Sequence, residues 1–173
     1  MTRAAFAGSL EGEARLLLLI DAFSTGSGTL QGRTKLAKLD FLLRYPKFFE
    51  RAMALRKITT AVERDEAAEN NIAQRMVRYR YGPWDLAYYA LLGALLGRGL
   101  ITTIPERNYL GFRTTERGRE IAAELAGSEA WAAVGARAKL LKRAFPSQRG
   151  SSVKNWIYEH FPEVTQAHWG EQL

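Results

Sequence analysis

A chain of 173 residues, 47% of them apolar and none of them cysteine, is long enough to bury one good core. It excludes a disulfide framework and a thiolate metal site. The formal charge of +7 is unevenly spread, +5 over residues 1–58, −3 over 59–70, +7 over 71–149 and −2 over 150–173. The basic body therefore suits an acidic partner, either nucleic acid or an acidic protein surface, or else a solvated face kept for solubility.

The first element in the chain is a predicted helix over Leu10–Phe23, capped by Ser9, with Glu11 and Glu13 in its first turns and Gly26 and Gly28 beyond its end. Its centre, Leu16 to Ile20, is apolar on every side, so more than one face must be covered. That run is far short of a membrane span, and Met1 to Ala5 offer no secretory core, so a soluble cytoplasmic protein without a membrane partner is expected. A second helix follows the Ser24–Gly28 connection, starting at Gly32 and stopped by Tyr45-Pro46. Leu36, Leu39 and Leu43 share one stripe of it, while Arg33, Lys35 and Lys38 are expected along an outward basic edge. Pro46 can open a third helix, whose Phe48, Phe49, Met53 and Leu55 are predicted to supply core. Residues 59–70 are polar and acidic and read as an exposed connection or insertion, extending to about residue 72.

Met76 to Tyr81 alternates apolar or aromatic residues with Arg78 and Arg80, the pattern of a short strand, which Gly82-Pro83 is expected to break. Trp84 to Leu96 then reads as a helix closed by Gly97-Arg98-Gly99. Leu100 to Ile104 and Tyr109 to Arg113 are β-prone runs around Pro105-Glu106-Arg107-Asn108, which is hairpin chemistry. Thr114-Thr115-Glu116 restarts a helix that ends near Gly127. Two further helices are expected over Ser128–Ala144 and Ser152–His160, the first ending in the basic group Arg137, Lys139, Lys142 and Arg143, extended by Arg149. The predicted class is mainly α with a small β-hairpin, a winged-helix-like core over residues 1–126 and a C-terminal helical extension over 127–173.

Catalytic chemistry leaves few traces. With no cysteine and only His160 and His168, a histidine triad or zinc site would depend on one end of the chain, and Gly26-Ser27-Gly28 lacks the Gly-Lys-Ser/Thr ending of a phosphate loop. No enzyme activity, no metal and no cofactor is expected. The aromatics Tyr79, Tyr81, Trp84, Tyr88 and Tyr89, interleaved with Arg78 and Arg80, suit base stacking but equally suit a core or interface. The helix that a DNA-binding winged helix would lay in the major groove carries only Asp85 as a charge and lacks Arg, Asn, Gln or Ser. It is fitted to burial or to a hydrophobic protein contact instead, through Trp84, Tyr88, Leu92 and Leu96. Any DNA contact is expected to be with the backbone and tolerant of sequence, through exposed cations such as Arg107 and Arg113 of the wing.

Helix, hairpin and helix, with Gly-Leu-Ile entering the first strand and Phe112 to Glu120 leaving the second, resembles the second half of winged-helix domains over residues 84–126. Together with Leu30 to Leu42 and Arg80-Tyr81-Gly82-Pro83-Trp84, this resembles the small middle component of bacterial ABC-three-component systems, to which the Lamassu-type anti-phage and anti-plasmid systems belong, over about residues 10–126. The resemblance implies a non-catalytic subunit that bridges an SMC/Rad50-like coiled-coil ATPase and an effector such as a nuclease. Arg33, Lys35, Lys38, Arg78, Arg80, Arg107, Arg113, Arg137, Lys142 and Arg143 are the candidate contacts to such a partner or to a DNA backbone. The Thr34-Lys35-Leu36 and Tyr81-Gly82-Pro83 phrases are also similar to the Panacea antitoxin domain, which leaves a free-standing winged-helix DNA-binding regulator or antitoxin as the alternative.

Overall fold

The computed structural model describes residues 8–60, 77–79 and 82–166. Helix α1 (Leu10–Phe23) begins where Ser9 Oγ accepts the Gly12 N–H at 3.0 Å, and its Leu16 to Ile20 centre is buried on all sides. A two-residue strand β1 (Leu30–Gln31) follows, then α2 (Gly32–Arg44) and α3 (Pro46–Leu55), the latter opened by Pro46 at its first position. Strands β2 (Val77–Tyr79) and β3 (Gly82–Trp84) pair antiparallel, with Val77 opposite Trp84. Then come α4 (Tyr88–Gly97), the hairpin β4 (Ile101–Pro105) and β5 (Leu110–Thr114), and α5 (Glu116–Gly127), capped by Thr115 Oγ1 on the Gly118 N–H. Helices α6 (Ala132–Ala144), α7 (Gly150–His160) and α8 (Pro162–Gln166) close the described chain.

The protein is mainly helical with a small antiparallel sheet. That sheet has the order β1-β5-β4, with Leu30 opposite Phe112 and Thr103 opposite Phe112 on its other side. Helix, strand, helix, helix, hairpin is the winged-helix order, here with α3 and the β2–β3 pair inserted before the third helix. Leu30, Phe112 and Ile101 on one face of the sheet join Leu16, Leu19, Phe23, Leu36, Leu39 and Leu95 in one continuous core. Each such side chain contributes about 1.5–3 kcal/mol on burial. Gly118 lets α5 start directly beneath the wing, because a Cβ there would lie 1.8 Å from the Leu100 carbonyl oxygen, while the Thr115 N–H donates to that same oxygen at 3.0 Å. The C-terminal helices add to this core from the opposite side: α6 packs on α1 and α7 packs along α2, bringing Leu141, Phe145, Val153, Ile157 and Phe161 into it.

Several expectations from the sequence are corrected. Gly82-Pro83 continues the strand pairing where it was expected to end it, and Trp84 is a strand residue, so α4 starts four residues later than predicted. Between them Asp85 turns the chain, its Oδ1 accepting the Ala87 N–H at 2.8 Å. Leu55 is half exposed, not core, because α3 ends there and its buried side is Phe49, Ala52 and Met53. The helix expected from Ser128 starts at Ala132, after Ser128 has closed α5 by donating its hydroxyl to the Leu125 carbonyl. Most of the acidic insertion near 59–72 and residue Arg80 lie outside the described residues, as do residues 167–173 of the C-terminal extension.

Candidate functional site

Helix α2 is enclosed along its length: every residue from Lys35 to Arg44 is buried. This corrects the expected outward basic edge, of which only Arg33 is exposed. Lys35 and Lys38 point inward because α6 and α7 cover that side, and their aliphatic stems serve as packing surface. The Lys35 ammonium lies 3.2 Å from Gln31 Oε1 and 3.4 Å from the Pro146 carbonyl oxygen, and both it and the Lys142 ammonium lie over the Phe23 ring, each nitrogen 4.9 Å from the centroid. Burial, and then the neighbouring Lys142 charge, lower its pKa to about 8. Lys38 is 6.0 Å from the Tyr158 ring centroid with Lys154 at 5.9 Å from the same ring, and burial followed by the Lys154 charge brings its pKa down to about 7. These lysines cannot form a flat contact with a partner.

Asp40, on the opposite side of α2, is fully enclosed and ties three helices together. Arg15 of α1 donates to both of its oxygens, at 2.7 and 3.3 Å, Tyr88 of α4 donates at 2.8 Å, and Arg44 stands 3.7 Å away. Arg44 in turn reaches Asp85 at 2.6 Å. Burial alone would raise the Asp40 pKa; the charges of Arg15 and Arg44 and the hydrogen bonds from Arg15 and Tyr88 outweigh it and hold the carboxyl below its ordinary value. Burial first, and then the Asp40 charge, push the Tyr88 hydroxyl well above its usual pKa. Tyr88 is therefore a core residue and is withdrawn from base stacking. The arrangement is structural: each charged group is paired, and none is open to a substrate.

The other predicted positions scatter. Arg107 is exposed at the hairpin turn and Arg143 on α6, while Arg137 and Lys142 are half-buried. Arg113 donates to the Gly26 carbonyl, which binds the wing to the loop after α1 and takes this side chain away from an outside phosphate. Arg78 sits in β2 and Trp84 in β3. Leu92 is 5% exposed and belongs to the core, whereas Leu96 is 40% exposed.

What the fold does assemble is a groove of about 750 Å³. One wall is the outer row of α4, Tyr89, Gly93 and Leu96; the second is the sheet and wing, with Thr103, Tyr109, Leu110 and Phe112. The third is where α2 and α7 begin, with Arg33, Thr34, Arg149, Gly150 and Ser151. The first turns of these two helices touch, since a Cβ on Gly150 would lie 2.8 Å from the Lys35 nitrogen, and neither has a side-chain cap. Tyr89, Leu96 and Leu110 are 60%, 40% and 45% exposed, three of the five large apolar side chains left open among the described residues. The Arg33 guanidinium covers the Tyr89 ring at 5.1 Å. Among the described residues lining the groove, none is acidic. Sequence reasoning singled out Arg33, Tyr89, Leu92, Gly93, Leu96 and Arg149 but passed over Tyr109 and Leu110, whose only signal was two bulky side chains next to a turn.

No group of three or more histidine, cysteine, aspartate or glutamate side chains converges among the described residues, and no helix there is long and apolar enough to cross a membrane. No family model matches the chain, and no curated protein or solved structure matches it either.

Proposed function

We propose that this chain is a non-catalytic accessory subunit that binds other proteins, the middle component that bridges an SMC/Rad50-like coiled-coil ATPase and an effector such as a nuclease in an anti-phage or anti-plasmid defence complex. The observation that carries the binding part of this proposal is the outer row of α4. At the place where a winged-helix DNA reader presents donors to base edges, Tyr89, Gly93 and Leu96 present an aromatic ring, a bare backbone and an aliphatic side chain. Such a row favours a protein surface, since aromatic and aliphatic groups lose water on contact while base edges would be left without partners. The assignment to a three-component complex rests on the sequence resemblance.

Coexpression of the tagged chain with an SMC/Rad50-like coiled-coil ATPase tests the proposal. The wild-type chain is expected to copurify with the ATPase, and Leu96→Asp, at an open position, to remain folded by circular dichroism yet lose it. A wild-type chain that purifies alone under these conditions overturns the subunit assignment. The exposed Arg33, Arg107 and Arg149 favour a second, weaker contact to a DNA backbone, which by itself is also what a free-standing regulator or antitoxin would use.

A further inference from the structure

We infer that the groove between α4, the wing and the start of α7 is the seat of one amphipathic α-helix from a protein partner, apolar along the side that meets α4 and acidic along the side that meets Arg33 and Arg149. This deepens the binding role proposed above and rests on it. Charge argues for the acidic side. Two arginines stand on one wall, the first turns of α2 and α7, neither with a side-chain cap, bring their positive dipole ends to the same wall, and among the described lining residues no carboxylate offsets them. Arg33 is already spread over the Tyr89 ring, so an incoming carboxylate would meet a guanidinium held in place by a stacking contact.

Shape argues for a helix. Tyr89, Gly93 and Leu96 repeat at helical spacing and form an open strip along α4, and at Gly93 a Cβ would meet nothing within 4 Å. Helices pack with axes about 8–10 Å apart, and the closest approaches occur over small residues. The floor on the sheet side is made by Thr103 and Phe112, directly paired residues whose side chains project from the same face of the sheet. An extended segment lying there would run across that face and not along the edge of β4, so its N–H and C=O groups would find no ladder; a helix brings its own hydrogen bonds. Leu110 and Tyr109 stand beside the strip as the wall against which the apolar side chains of the incoming helix close.

The probe is a pair of helix-stabilised peptides, each with leucines at i, i+4 and i+7, one flanked by glutamates and the other by lysines at the same positions, followed by fluorescence anisotropy on the full chain. The acidic peptide is expected to bind at least about tenfold more tightly than the basic one, and Arg33→Glu with Arg149→Glu to reverse that order. Gly93→Leu, which fills the strip at an open position, is expected to abolish binding with an unchanged circular dichroism spectrum. Equal affinity for the two peptides, or binding that survives Gly93→Leu, overturns the inference. So does direct binding of random duplex DNA that Gly93→Leu abolishes, which would make the groove a nucleic-acid site, and so does a chain that dimerises through the groove and becomes monomeric on Gly93→Leu. Peptide binding is read on the isolated chain and ATPase copurification on the complex. A groove that binds as expected on a chain that never joins an ATPase therefore removes the subunit assignment alone, and the reverse result removes the groove alone.

Discussion

Asp40→Ala removes the acceptor on which α1, α2 and α4 converge. Arg15 loses contacts of 2.7 and 3.3 Å and remains 8% exposed, Tyr88 loses its 2.8 Å hydrogen bond at 1% exposure, and Arg44 loses the carboxylate 3.7 Å away while keeping Asp85. Removing one partner of a buried ion pair costs about 3–5 kcal/mol because the remaining charge stays in a medium that cannot solvate it. Losing the hydrogen bond from a buried hydroxyl to a charged acceptor adds about 1.5–3 kcal/mol. Against a stability of about 5–15 kcal/mol for a domain of this kind, the loss is a large share of the whole, and urea unfolding followed by circular dichroism should show a much lower midpoint at an unchanged slope. Arg15→Met with Asp40→Leu should be less damaging than Asp40→Ala alone, because no charge is then left unpaired. Acid behaviour follows with the same sign. The folded pKa of Asp40 lies below its ordinary 3.8, so its contribution is complete above that value and fades as pH falls through the folded pKa. The refuting result is an Asp40→Ala protein within about 1 kcal/mol of the wild type, or a double variant as unstable as the two single changes added together.

Lys38 has a folded pKa of about 7 against an ordinary 10.5, so the fold carries a protonation penalty that is complete below pH 7 and disappears as pH rises to 10.5. Lys38→Met should therefore stabilise the protein most at neutral pH and below, its advantage shrinking by up to about 1.4 kcal/mol per pH unit between these limits in urea titrations. Gly118→Ala should cost about 3 kcal/mol or more, seen as a lowered melting temperature, because its Cβ would occupy the position of the Leu100 carbonyl oxygen and force α5 away from the wing. In competition assays random and chosen duplexes should displace one another alike and lose affinity steeply with salt; a preference of about a hundredfold for one sequence would reveal base contacts.

Much of the architecture was legible because local chemistry and tertiary packing agree. Ser9 and Thr115 cap α1 and α5 as their side chains dictate, Tyr45-Pro46 separates α2 from α3, and the Pro105–Asn108 turn makes the hairpin. Where the two disagree, the sequence misleads. The two residues of β1 are too short for any periodicity and are a strand only because β5 pairs with them. A helical wheel places Lys35 and Lys38 away from the leucine stripe and therefore in water, but it cannot know that α6 and α7, more than a hundred residues on, return to cover that side with Phe145, Tyr158 and the Lys35-accepting carbonyl of Pro146. Trp84 follows a proline in the position of a helix start, yet its backbone is taken by pairing to Val77. The groove was legible only in pieces: the apolar, glycine-bearing α4 and the basic residues Arg33 and Arg149 stood out singly, but four separate stretches had to fold together before they became walls of one cleft.

Those stretches reach the protein in order of synthesis, and the last of them, residues 149–151, completes the cationic wall begun by Arg33 and abuts the backbone nitrogen of Lys35 in α2. Until those residues have been made the groove lacks part of its third wall, and Arg33 is the one cation of its described lining already in the chain. The groove becomes a closed cleft only when α7 docks. Translation thus sets an order in which the walls from α4 and the wing precede the third, and because the same last stretch brings Val153, Ile157 and Phe161 into the core, the groove is completed in the same step as the core itself.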